Sequence, residues 1–216
     1  MRVKMASLTD QIPEPSERQN IPSKIRIMTP PPDAPANADS FREADEITYV
    51  DRKMAFICSK GNLDMAYPAL IMAHSALNAG VHVDVFFTFW GLDIINKRTM
   101  DRLKFTMQGN AAIHFPTLEK YYPGLGDMHF SPSFGALPGM TKLSTWYMKN
   151  ELQKMEIPPV RDMLEQIAQL GANLWACKLS ADMMKLTPRH LHKCVRGIVD
   201  ADTFIEMSEG AQIIFI

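Results

Sequence analysis

With 216 residues, 46% of them hydrophobic and 22% charged, the chain is long enough for one packed core and ordinary for a globular protein. Its 23 basic and 24 acidic residues leave a formal charge of −1, which excludes the strong field that nucleic acid or an anionic membrane surface would need. Three cysteines are too few for a disulfide scaffold and point to reduced thiols in a cytoplasmic protein.

Taken in chain order, the first 46 residues hold Pro13, Pro15, Pro22, Pro30, Pro31, Pro32 and Pro35 in a polar, aromatic-poor context. Such a stretch buries too little surface to offset its ordering entropy, so residues 1–46 are expected to be an extended or disordered arm, dispensable for the fold. The opening MRVKMASLTDQIPEPS lacks the apolar core of a signal peptide. No segment reaches the roughly 18 apolar residues of a membrane helix.

Residues 47–216 read as one domain. The run 54–58 (MAFIC) predicts a buried strand that exits through Ser59, Lys60, Gly61 and Asn62. The next segment repeats Ala66, Ala69, Leu70, Ala73 and Leu77 at helical spacing, with Pro68 near the first turn and Gly80 as the stop. Residues 81–91 (VHVDVFFTFWG) give a second strand, completing a right-handed βαβ unit of a parallel sheet. Residues 109–139 are rich in Gly and Pro and predict a long functional loop or oligomer contact, with Tyr121, Tyr122, Phe130, Phe134 and Trp146 exposed in or just beyond it. Helices are expected over 140–156 and 160–170, a strand over 173–179 (NLWACKL), a short helix capped by Ser180, a helix over 201–210 and a last strand over 212–216. The fold class is therefore α/β: a three-layer α/β/α sandwich around a mostly parallel sheet of four or five strands.

Ligands of open parallel sheets collect at the carboxyl ends of strands, and two of the three cysteines fall there. Cys177 lies late in its strand, just ahead of a helix start, where helix amides and dipole favour thiolate. Lys60 and Lys178 are neighbouring cations, although Lys178 belongs to the opposite face of its strand. Cys58 closes the first strand, and burial and inertness are the plain alternative for it. Cys194 reads as structural. His190, His192 and Cys194 supply three ligands at most, so no metal is expected, although one of the two histidines could reach the thiol. The loop 59–62 matches no nucleotide-binding motif, and no cofactor is expected.

Residues 57–80 (ICSKGNLDMAYPALIMAHSALNAG) followed by VFFTFWGLDIINK resemble the DsrE/DsrF-like family, in its larger branch labelled peroxiredoxin-like. The stretches ALPGMTKLSTWYMKNEL, NLWACKLSADMM and GIVDADTFIEMSEGAQIIFI resemble that branch in order and spacing, so the likeness spans about residues 53–216. The resemblance implies a cytoplasmic, homo-oligomeric sulfur carrier or sulfurtransferase. In such proteins a cysteine at the position of Cys177 holds sulfane sulfur as persulfide or thiosulfonate. The sulfur passes to a TusA-like carrier, often with a rhodanese as partner, and originates from polysulfide, thiosulfate or tetrathionate. Cys58 matches a position found in only part of the branch. The alternatives are a thiol redox protein using Cys58 with Cys177, and a non-catalytic oligomeric binding module.

Overall fold

A computed structural model describes residues 52–108, 114, 119–120, 122–124, 126–129 and 131–216, without the side chains of Pro132 and Phe134. The expected arm over 1–46, most of the 109–118 segment, and Tyr121, Phe130 and the Phe134 ring lie outside the described residues. Among the described residues five strands form one sheet: β1 (Lys53–Cys58), β2 (His82–Phe87), β3 (Asn173–Cys177), β4 (Val195–Val199) and β5 (Gln212–Phe215). All are parallel, in the order β4-β3-β2-β1-β5.

The chirality of crossovers explains how the helices are distributed. Steps from β1 to β2 to β3 move in one direction, which places α1 (Leu63–Asn78) and α4 (Val160–Gln169) packed together on one face. The return from β4 to β5 crosses the whole sheet in the opposite direction and carries α6 (Ala201–Met207) over the other face, where Phe204 stacks on Phe86 with ring centroids 4.3 Å apart. The remaining helices are α2 (Leu92–Ile95), α3 (Met140–Lys154) and α5 (Lys178–Met183).

Strand alternation divides the core accordingly. Phe56, Cys58, Val83, Val85, Phe87, Leu174 and Ala176 face α1 and α4, whereas Ala55, Phe86 and Cys177 face α6. The expected alanine stripe of α1, Ala66, Ala69 and Ala73, is fully buried and lets this helix lie close to the sheet. Pro68 sits deeper than expected, as the sixth residue of α1, where its missing N–H leaves one interior helix bond unmade. On the α6 face, buried Asp84 accepts hydrogen bonds from Asn173 Nδ2 and Trp175 Nε1, both at 3.0 Å. Lys53 lies 3.8 Å from the same carboxylate and donates to the Met207 carbonyl, tying α6 to the sheet. Asp200 caps α6 by accepting from the Thr203 amide at 2.8 Å.

Two element boundaries differ from the sequence reading. Strand β3 stops at Cys177, and α5 begins at once with Lys178, so Ser180 is inside the helix and Cys177 is its N-cap. Strand β4, Val195–Val199, lies in a stretch for which the sequence reading gave no element. It is an edge strand, and Arg196 and Gly197 break the apolar run that would have marked it.

Candidate functional site

The carboxyl ends of β1, β2 and β3 converge at one rim of the sheet. Thr88 donates its amide to the Cys58 carbonyl at 2.9 Å, and Gly91 donates to the Ser59 carbonyl at 3.1 Å. Gly91 permits this approach because a Cβ there would lie 2.0 Å from the Cys58 carbonyl oxygen. Gly61 plays the same part toward Trp90, where a Cβ would lie 2.4 Å from the carbonyl oxygen. Ser59 is latched in turn, its amide and hydroxyl donating to the Ile216 carbonyl at 2.7 and 3.1 Å.

Cys177 lies at this rim, buried and 5% exposed. Burial pushes its thiol up. Hydrogen-bonding interactions with the Ser180 hydroxyl and amide, the Thr88 hydroxyl and the Leu179 amide outweigh that and hold it below the ordinary thiol value. No amide makes a strict cap bond to the sulfur, so these groups act as a ring of positive ends around it rather than as one short linear bond. Ser180 is oriented by its own partners: its oxygen accepts from the Phe89 amide at 2.9 Å and lies 3.1 Å from Thr88 Oγ1. With its oxygen occupied in this way, the Ser180 proton is left for the sulfur or for Thr88.

The Phe89 amide reaches Ser180 through a left-handed backbone, φ +45°, unusual for a non-glycine residue. Its ring stacks on Trp90 at 6.2 Å, and both are exposed, as are Leu179 and Met183 of α5. Thr88, Ser180 as a thiol partner, and Phe89 escaped the sequence reading. One signal was present: Thr88 is the lone hydroxyl in Phe86-Phe87-Thr88-Phe89-Trp90, at the carboxyl end of a central strand.

Cys58 is placed quite differently. It is 1% exposed in the apolar core, and burial pushes its thiol up to about 12. It pairs in register with Phe87 of β2, and Phe87 with Ala176 of β3, so Cys58 and Cys177 lie two strands apart and on opposite faces. Two strand spacings are about 9.5 Å, beyond the roughly 4.4–6.8 Å between the Cα atoms of a disulfide. That separation, with the two thiols on opposite faces, argues against the redox pairing of Cys58 with Cys177.

Neither histidine reaches the thiol. His190 is held by Thr187, whose amide donates to Nδ1 at 3.0 Å. Buried His192 lies 3.4 Å from Glu165 of α4. Both precede the first residue of β4, whereas Cys177 pairs with its last residue, Val199. Lys60 lies by Asp64 and Lys178 by Asp200, and neither counts among the groups that lower the Cys177 thiol. Partly buried Cys194 has its thiol raised, by burial first and then by Glu165.

Cys177, sheltered and ringed by donors at the carboxyl edge of an all-parallel sheet, is the candidate site of this α/β protein. The chain belongs to the DsrE/DsrF/DrsH-like family, whose pattern it matches over residues 50–216. It is 32% identical over 136 residues to the sulfur carrier protein DsrE2 of Allochromatium vinosum, covering 62% of this chain and 79% of that protein. It is 23% identical over 170 residues to the uncharacterized protein YrkE of Bacillus subtilis, covering 79% of this chain and 100% of that protein. The solved structure of a protein of unknown function, MTH1491 from Methanobacterium thermoautotrophicum, matches with a TM-score of 0.45 at 9% identity, over 77% of this chain and 100% of that one. Among the described residues no helix is long and apolar enough to cross a membrane.

Proposed function

We propose that this protein is a sulfur carrier that holds sulfane sulfur on Cys177 as a persulfide, or as a thiosulfonate, and hands it to a small TusA-like carrier in a cytoplasmic sulfur relay. The observation that carries this reading is the contrast between the cysteines: the Cys177 thiol lies below its ordinary value among donors at the rim, while the Cys58 thiol is inert near 12 in the core. Membership of the family and the likeness to a sulfur carrier protein support the same chemistry.

Loading starts with the Cys177 thiolate. It attacks the outer sulfur of thiosulfate, the S–S bond of the donor breaks, and sulfite leaves with the bonding pair, leaving the persulfide anion on Cys177. Polysulfide or a rhodanese persulfide supplies the sulfur in an equivalent displacement, with the shortened polysulfide or the rhodanese thiolate leaving, whereas attack on a central sulfur of tetrathionate expels thiosulfate and leaves the thiosulfonate on Cys177. In hand-over, the acceptor thiolate attacks the outer sulfur, the new S–S bond breaks, and Cys177 departs as thiolate. An ordinary thiol is only a few per cent ionised at neutral pH, so a donor ring that lowers the Cys177 thiol raises its thiolate fraction and acts directly on the rate.

Mass spectrometry after incubation with polysulfide, thiosulfate or tetrathionate tests the assignment. Wild type and Cys58→Ser should each gain sulfur on the peptide containing Cys177, and Cys177→Ser should gain none while keeping its fold. Loading of the Cys177→Ser variant would move the chemistry to another thiol, and no addition to any cysteine would leave a binding module.

A further inference from the structure

Two concave surfaces meet at Arg98, away from the thiol. The larger, about 730 Å³, is bordered by Arg98, Arg102 and Lys104 with Asn62 and Thr106, and Asp93 is its one carboxylate. The second, about 500 Å³, is bordered by Lys97, Arg98, Arg189 and His190. Their cations stand on fixed backbone. Helix α2 ends with Ile95 in the core, where the Ile95 carbonyl accepts from the His192 amide at 2.8 Å. Asn96 pairs with Leu191 in a bridge and accepts from the Arg98 amide at 3.0 Å, while the Lys97 amide donates to the His190 carbonyl at 3.0 Å. The Lys97 ammonium donates to the Arg189 carbonyl at 3.0 Å, Arg102 forks onto the Arg98 carbonyl, and the Lys104 carbonyl accepts from the Leu63 amide at 2.9 Å.

Among the described residues none of these five cations is in an ion pair. A chain of net charge −1 thus gathers Lys97, Arg98, Arg102, Lys104 and Arg189 around two joined hollows with Asp93 as the counter-charge on their lining. Crowding like charges without partners raises the energy of the empty surface and is relieved by an anion of matching extent. Each hollow has the volume of a small-molecule site and is open to solvent.

We propose that these hollows bind a small organic or inorganic anion carrying two phosphoryl or sulfonyl groups, one held by Arg102 and Lys104, the other by Lys97 and Arg189, with Arg98 between them. Two linked oxyanions suit the forked guanidinium of Arg98, and the hydroxyl and amide groups of Thr106 and Asn62 add neutral donors. The site is independent of the chemistry at Cys177.

Isothermal titration at low ionic strength with pyrophosphate, and with inorganic phosphate as the single-headed comparator, tests this. Wild type and Cys177→Ser should bind pyrophosphate saturably and equally, and more tightly than phosphate. Arg98→Ala, and separately the Arg102→Ala, Lys104→Ala double variant, should weaken it about tenfold or more, with unchanged circular dichroism. Lys193→Ala removes a cation that is paired with Glu165 outside both hollows, and should leave affinity as it was. Absence of saturable binding, phosphate binding as tight as pyrophosphate, or equal weakening by Lys193→Ala and Arg98→Ala would each overturn the proposal.

Discussion

Ser180 shows how one side chain sets the chemistry of another. Its hydroxyl lowers the Cys177 thiol against the opposing pull of burial, and Phe89 and Thr88 hold it in place to do so. Ser180→Ala removes that donor and leaves the amide, so the thiol should rise toward its ordinary value. The sign follows: below the new pKa less of Cys177 is thiolate, and sulfur loading at neutral pH should slow by about 3- to 10-fold. At alkaline pH, where both proteins are ionised, the rates should converge. A pH profile of alkylation or loading reads this directly. A merely structural role would lower the plateau without moving the midpoint, and such a result would remove Ser180 from the thiol's environment.

Elements meet at the rim only because two of them carry glycine. Gly91 has an ordinary helical backbone, φ −56°, so Gly91→Ala should be harmless by conformation and costly by contact, since the new methyl would sit 2.0 Å from the Cys58 carbonyl oxygen. Forcing β1 and the segment after β2 apart is an overpacking change of about 1–3 kcal/mol, or a Tm lower by roughly 2–12 °C. Calorimetry checks it, and an unchanged Tm would mean that the rim is slack.

The same elements show what was legible beforehand. The βαβ start was readable because Ala66, Ala69, Leu70 and Ala73 repeat with helical period between two apolar runs, and Cys177 was readable because it closes a buried strand. Strand β4 was not, because an edge strand needs no continuous apolar run and Val195–Val199 contains Arg196 and Gly197. The exact start of α5 was hidden by Ser180, whose type suggests a cap but whose hydroxyl serves the thiol network across the sheet instead. Thr88 and Phe89 join Ser180 from about 90 positions earlier, a juxtaposition that no local pattern encodes.

For the whole molecule, the exposed apolar groups point to self-association, which we propose as the working state. Tyr122, Met128, Leu137, Leu143 and Trp146 are all exposed within one stretch that includes the start of α3. A surface so apolar is more typical of an interface than of a free monomer. Light scattering at micromolar concentration should give a dimer or larger, and Trp146→Glu should shift it toward monomer. A clean wild-type monomer would refute it.

The sheet order also has a kinetic consequence. In an all-parallel sheet no neighbouring strands are joined by a hairpin, and closure of β5 on β1 brings together Ser59 and Ile216, which are 157 positions apart. Such distant pairings are slow to find and come after local units such as β1-α1-β2 have formed. Of the donors around Cys177, Leu179 and Ser180 are local, but the Thr88 hydroxyl and the Phe89 amide that orients Ser180 come from about 90 positions earlier, so the ring is incomplete until β2 and β3 have paired. A nascent or partly unfolded chain therefore lacks the Thr88 part of that ring, and on the proposed assignment full nucleophilicity emerges only with the native topology. On that assignment, full reactivity of this sulfur is a marker of completed folding.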